Sequence, residues 1–208
     1  MEEGKNTVVR EGGRVVKTFG SRLAYVKEAS IYEKLKGTGL APELVEKMDG
    51  MIEHEYVEGP AFSDVLAESL GDTRALDLLF TQLCDWYKRF RDTIRLTLGG
   101  IDLSKFILTG RGLCYLDFEH CKPGYMEEDI ADLLAELCFA AEPFSEQSLG
   151  IMQLFARISR EKLEWIPELV LEYLPQCISD SCGGRGYEAD GGDIMEVLWA
   201  VRPQEEEK

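Results

Sequence analysis

The feature that most constrains this chain is a change of periodicity at Gly59-Pro60. Before it, short β-branched runs alternate with tight-turn signals. After it, apolar residues recur at helical spacing over long stretches, and the strand pattern returns only once. A chain built in this order folds as a small sheet-bearing part followed by a helical part, an α+β arrangement rather than a sandwich or a parallel βαβ fold.

In the first part, Thr7–Arg10 and Arg14–Phe19 flank Glu11-Gly12-Gly13 and read as a hairpin. Ser21–Leu35 reads as a helix, with Leu23, Val26, Ile31 and Leu35 as its apolar stripe, Ser21 as N-cap and Gly37-Thr38-Gly39 as its end. Leu44–Met48 and Met51–Val57 read as strands joined at Asp49-Gly50. Beyond Gly59-Pro60, helices are expected over Phe62–Ser69, Thr73–Thr93, Glu127–Ala140, Ser145–Ser159 and Ile166–Leu174. A second hairpin, Lys105–Leu108 with Leu113–Phe118, turns at Thr109-Gly110-Arg111-Gly112. Segment 179–193 holds five glycines and little apolar material, and is expected as a flexible loop before a last helix, Ile194–Val201; Glu205–Lys208 is expected to be disordered. The division is thus an N-lobe over 1–58 and a helical C-lobe over 59–208, with the cleft between them as the default ligand site.

Composition narrows the function. With 45% apolar and 30% charged residues the chain can bury a core. Its 23 Lys plus Arg against 39 Asp plus Glu give a formal charge of -16, which argues against a nucleic-acid or membrane-binding face. A nucleotide is still admissible, since a pocket needs only one or two cations and a metal. The polar start Met1-Glu2-Glu3-Gly4-Lys5 lacks a signal core and no run is long enough to span a membrane, so the expectation is a cytoplasmic protein. Six cysteines, mostly within apolar stretches and without a C-x-x-C pair, read as free thiols. His54 and His120 are too few for a triad, and there is no serine elbow.

Four groups of residues carry possible chemistry. Lys17 ends an apolar strand and Glu28 lies in the following helix, so the two can pair and the ammonium can hold phosphate oxygens. The strand through Glu55 and Val57, ending at Glu58-Gly59, can offer backbone groups to a base. Asp117, after the run Leu113–Leu116, sits where a carboxylate can hold Mg²⁺ against phosphates, with Glu119 two residues on. Asp129, in an acidic first turn, can brace a neighbouring loop. Each group also has a plain explanation: an exposed strand lysine, a strand end, an acid leaving a strand, and charges that complement a helix dipole.

In order, these pieces resemble the protein-kinase-like superfamily, in particular its bacterial branch of aminoglycoside phosphotransferases and short lipopolysaccharide- and RIO-type kinases, over about Asn6 to Leu137. Val15-Val16-Lys17 resembles the lysine strand, Val26-Lys27-Glu28-Ala29 its glutamate partner, Glu55-Tyr56-Val57-Glu58-Gly59 the adenine hinge, Asp117-Phe118-Glu119 the metal-binding motif, and Asp129-Ile130-Ala131 the aspartate of the next helix. The resemblance implies a two-lobed fold, ATP or GTP with Mg²⁺ as cofactors, and phosphoryl transfer to a small-molecule or protein acceptor. It also implies departures. The family loop Gly-Asp-x-x-x-x-Asn falls on Gly99–Lys105, which puts Gly100 at the catalytic Asp and Lys105 at the metal-binding Asn. Asp102 is then the candidate base and Lys105 a candidate phosphate neutraliser. The first strand and glycine-rich loop are expected to be truncated. Three readings stay open: an active phosphotransferase, a pseudokinase that keeps the fold as a nucleotide-binding or scaffolding module, and an α+β domain without either role.

Overall fold

The computed structural model describes residues 5–202. The N-terminal lobe is a hairpin, β1 (Thr7–Glu11) and β2 (Arg14–Thr18), then α1 (Arg22–Leu35), then β3 (Leu44–Met48) and β4 (Met51–Glu55). The four strands form one antiparallel sheet in the order β1-β2-β4-β3. Strand alternation decides which side chains meet the helix. On β2 it turns Val15 and Lys17 inward, and on β4 it turns Ile52 and His54 inward.

Helix α1 closes over that face with Glu28, Ala29, Ile31, Tyr32 and Leu35. The expected stripe is only half right. Ile31 and Leu35 are buried, but Leu23 and Val26 face solvent. The buried face is rotated to include Glu28, a charged residue that apolar periodicity does not count. Ser21 precedes the helix without a side-chain cap.

The crossover between lobes depends on Gly59. A Cβ there would lie 2.0 Å from the Leu108 carbonyl oxygen, so only glycine lets the chain pass this close to the second hairpin. Next to it the Leu108 N–H donates to Pro60 at 3.0 Å.

The C-terminal lobe comprises α2 (Phe62–Glu68), α3 (Thr73–Ile94), a 3₁₀ turn (Leu103–Lys105), β5 (Phe106–Thr109), β6 (Gly112–Tyr115), α4 (Met126–Leu137), α5 (Glu146–Leu163), α6 (Pro167–Gly184) and α7 (Gly191–Val201). Asp72 caps α3 by accepting from the Arg74 and Ala75 N–H groups, both at 3.0 Å. The buried side of α3, from Leu76 to Phe90, is the one its periodicity predicts. Helix α3 packs on α5, and α4 on α6.

Three expectations are corrected here. The segment 179–193 is mostly helical: α6 continues through Pro175 to Gly184 and α7 begins at Gly191, which leaves a short connection. Burial of Ile178 and Cys182 holds the extra turns of α6, and Asp190 caps α7 through the Gly192 and Asp193 N–H groups. The strand expected over Met51–Val57 stops at Glu55, and the one expected to reach Phe118 stops at Tyr115, so Val57 and Asp117 both lie just beyond strand ends. The disorder expected for Glu205–Lys208 lies outside the described residues.

The two lobes share one apolar core. An aromatic series runs through it, from Tyr32 in α1 to Phe118, which packs edge-on at 5.5 Å, then to Phe90 stacked at 5.9 Å and Trp86 stacked at 5.2 Å. Trp86 Nε1–H donates to the Leu40 carbonyl at 3.1 Å, and Tyr32 OH donates to Leu116 at 3.1 Å. All six cysteines are free, five of them buried. Among the described residues no helix is long and apolar enough to cross a membrane.

Candidate active site

Lys17 lies in the interlobe cleft, its side chain 9% exposed, and its ammonium is the hub of the site. It donates to both Glu28 oxygens, at 3.1 and 2.9 Å, and to Asp117 Oδ1 at 3.0 Å, and it lies 3.2 Å from Glu119 Oε2. Three elements therefore converge: β2 supplies the lysine, α1 the fully buried glutamate, and the segment after β6 the two further acids. Phe118, itself fully buried, anchors that segment between Asp117 and Glu119. Asn6, which sequence reasoning did not single out, donates its amide to Glu119 Oε2 and accepts from the Gly20 N–H at 3.0 Å.

The charges of this cluster are mutually dependent. Burial disfavours the Lys17 ammonium, but Glu28 and Asp117 together outweigh it and hold its pKa above the ordinary value. Burial pushes Glu28 up to about 7 against the pull of Lys17. We take the ammonium as charged, since it has acids on three sides. Below it His54 stacks on Tyr32 at 5.4 Å and is held neutral, its pKa lowered by burial and by the nearby ammonium.

The donor set fits a hard divalent cation. One oxygen each from Glu28, Asp117 and Glu119 can lie within 4.8 Å of one another, and all are carboxylate oxygens, the ligands Mg²⁺ and Ca²⁺ prefer. Glu28 gives Lys17 both of its oxygens, whereas Asp117 gives it only Oδ1.

The expected hinge residues stand apart from this cluster. Glu55 is exposed at the end of β4, with its N–H on Glu43, and Val57 is half-buried before Gly59.

On the opposite side of the cleft the loop from Leu98 to Lys105 is held from below by α4. Asp129, fully buried, accepts from the Leu98 N–H at 2.8 Å, the Gly99 N–H at 3.2 Å and Tyr87 OH at 2.6 Å. Burial raises its pKa to about 6 despite those donors. Gly99 is required where it stands, because a Cβ would lie 2.4 Å from the His120 carbonyl oxygen. Gly100 has φ of +96° and no side chain to offer. Asp102 caps the 3₁₀ turn by accepting from the Ser104 N–H at 2.8 Å. Lys105 is half-buried at the foot of the second hairpin, where its carbonyl accepts from the Leu116 N–H at 3.1 Å.

A cavity of about 870 Å³ opens beside this loop. It runs from Gly99–Asp102 and His120 across α4 to the last two turns of α6. Five carboxylates line it, while its cations Lys122 and Arg185 are engaged by Glu128 at 3.0 Å and Glu136 at 2.8 Å.

Comparison with known proteins supports the fold. No family model matches the sequence, and no curated protein matches it. Plasmodium vivax ethanolamine kinase is similar with a TM-score of 0.53 at 12% identity, over 95% of this chain and 80% of that one. An amicoumacin kinase in complex with AMP-PNP, Ca²⁺ and Ami gives 0.49 at 10% identity, over 95% and 87%. The choline kinase of Cryptosporidium parvum gives 0.46 at 9%, over 95% and 93%. On the first of these likenesses the chain has a two-lobed, α+β protein-kinase-like fold.

Proposed function

We propose that the protein is a nucleotide-dependent phosphotransferase that binds ATP or GTP with Mg²⁺ in the interlobe cleft and transfers a phosphoryl group to a small-molecule or protein acceptor. The observation that carries this is the buried Lys17–Glu28 pair meeting Asp117 at 3.0 Å. In this reading Glu28 orients the ammonium, Lys17 neutralises nucleotide phosphates, and the crossover strand offers backbone groups to the base near Glu55 and Val57. Asp117, with Glu119, holds Mg²⁺, which when bound supplies charge neutralisation on the phosphates. On the acceptor side, Asp102 is the loop's own carboxylate in the large cavity, and Lys105 adds a cation at the base of the hairpin. The acidic lining supports an acceptor that carries positive charge. Six free thiols support a reducing, cytoplasmic setting.

A second reading has a specific observation behind it. Gly100 and Lys105 stand where the family places a proton acceptor and a metal ligand, which supports a pseudokinase that binds nucleotide, or only partners, without transfer.

The test is the melting temperature with ATP or GTP, with and without Mg²⁺. A magnesium-dependent rise that disappears in Asp117→Ala is expected, because a ligand that binds only the native state stabilises it. No rise with either nucleotide would refute nucleotide binding and leave a scaffold.

A further inference from the structure

Gly100 leaves the loop without a carboxylate at the point where acceptor and phosphate would meet, yet a carboxylate reaches that point from another element. Asp132, one turn after Asp129 on α4, accepts from the Gly100 N–H at 3.1 Å. Both Asp132 and Cys177 of α6 line the 870 Å³ cavity along with Gly100. Asp102 likewise spends one oxygen, on capping the 3₁₀ turn, but it stands exposed whereas Asp132 is half-buried.

We propose that Asp132, rather than Asp102, is the carboxylate that receives the acceptor's proton, so that a helix residue replaces the acid missing from the loop. This rests on the phosphotransferase reading. In the step, the acceptor oxygen bonds to the γ-phosphorus of a nucleoside triphosphate and its proton passes to Asp132. The bond from that phosphorus to the β,γ-bridging oxygen breaks, and the nucleoside diphosphate leaves. The arrangement is suited to this role. The carboxylate is held by the Gly100 N–H on a helix that Asp129 already ties to the loop, and a general base works only from a held position within reach of its proton. Lys122 and Asp180 are the charged groups nearest in effect, and Lys122 is itself held by Glu128.

The experiment uses the full chain and water as the acceptor: slow diphosphate release from Mg-ATP or Mg-GTP, read beside the nucleotide-induced rise in melting temperature. Asp132→Asn keeps an oxygen for the Gly100 N–H and removes the proton acceptor. It is expected to keep the melting-temperature rise and to lose diphosphate release by about 10²-fold or more, the usual worth of a general base, and by more than Asp102→Asn does. Asp132→Ser, which also lacks a base, is expected to give the same loss if the asparagine variant does not fold. Release by Asp132→Asn within about threefold of the unaltered protein overturns the inference, as a purely structural role would leave turnover in place. So does an unaltered protein that binds nucleotide and releases no diphosphate. An unaltered protein with no melting-temperature rise instead refutes the phosphotransferase reading itself.

Discussion

Replacing Asp129 with alanine should be the most damaging single truncation around the Leu98–Lys105 loop. The carboxylate receives hydrogen bonds from the Leu98 and Gly99 N–H groups and from Tyr87 OH, and it is fully buried. Tyr87 is 1% exposed and Leu98 2%, so water cannot replace the lost acceptor at either. Each buried donor left without a partner costs about 1–3 kcal/mol. Two fully buried donors and one half-buried one, discounted for local relaxation, give about 4 kcal/mol. For a chain of this length a kilocalorie shifts the midpoint by about 2–4 °C, so Asp129→Ala should melt roughly 10 °C lower than the unaltered protein. Asp129→Asn keeps an acceptor oxygen but turns an amide toward a donor, and should fall between the two. Thermal unfolding followed by circular dichroism or calorimetry is the assay. An alanine variant within about 3 °C of the parent would mean that water or a backbone shift satisfies the loop, and the clamp argument would fail.

Lys17→Met should cost about 3–5 kcal/mol in denaturant unfolding, because it leaves Glu28 buried without its partner, whereas the double variant Lys17→Met with Glu28→Gln should recover most of that loss. Additive losses in that double-variant cycle would show the two residues to be uncoupled. His54 titrates with the same sign as a paired acid. Its folded pKa lies below its unfolded value of about 6.5, so its contribution to stability is present above that pH and is lost as pH falls through the folded pKa. The difference in unfolding free energy between the unaltered protein and His54→Gln should therefore shrink as pH is lowered below about 6.5; a constant difference would mean that folding leaves the ring's pKa unshifted.

What the sequence revealed and what it hid follow from how far each contact reaches. The order of hairpins and helices, and the identities of Lys17, Glu28 and Asp117, were legible because each sits at a marked place: the end of an apolar strand, the following helix, the exit from a hairpin. Their convergence on one ammonium depends on α1 burying a glutamate, which apolar periodicity reads as a polar face, and Leu23 and Val26 misled for that reason. Asp132 was hidden because it ends an acidic run whose first-turn members already have an explanation in the helix dipole, while its contact with Gly100 crosses the fold. Asn6 was hidden for a similar reason, as a short polar residue ahead of a strand. The tail was misread because five glycines outweighed Ile178 and Cys182, whose burial against the rest of the lobe keeps α6 helical beyond Pro175.

The ammonium shared by Glu28, Asp117 and Glu119 also bears on how anything enters the cleft. In the proposed reading, the cation that meets an incoming phosphate is already latched to carboxylates of both lobes. Phosphate arrival would then be an exchange of partners rather than the creation of a new ion pair. The affinity of such a site would measure a difference between two sets of contacts, and whatever loosens the latch on the Asp117 side would tighten the grip on the nucleotide.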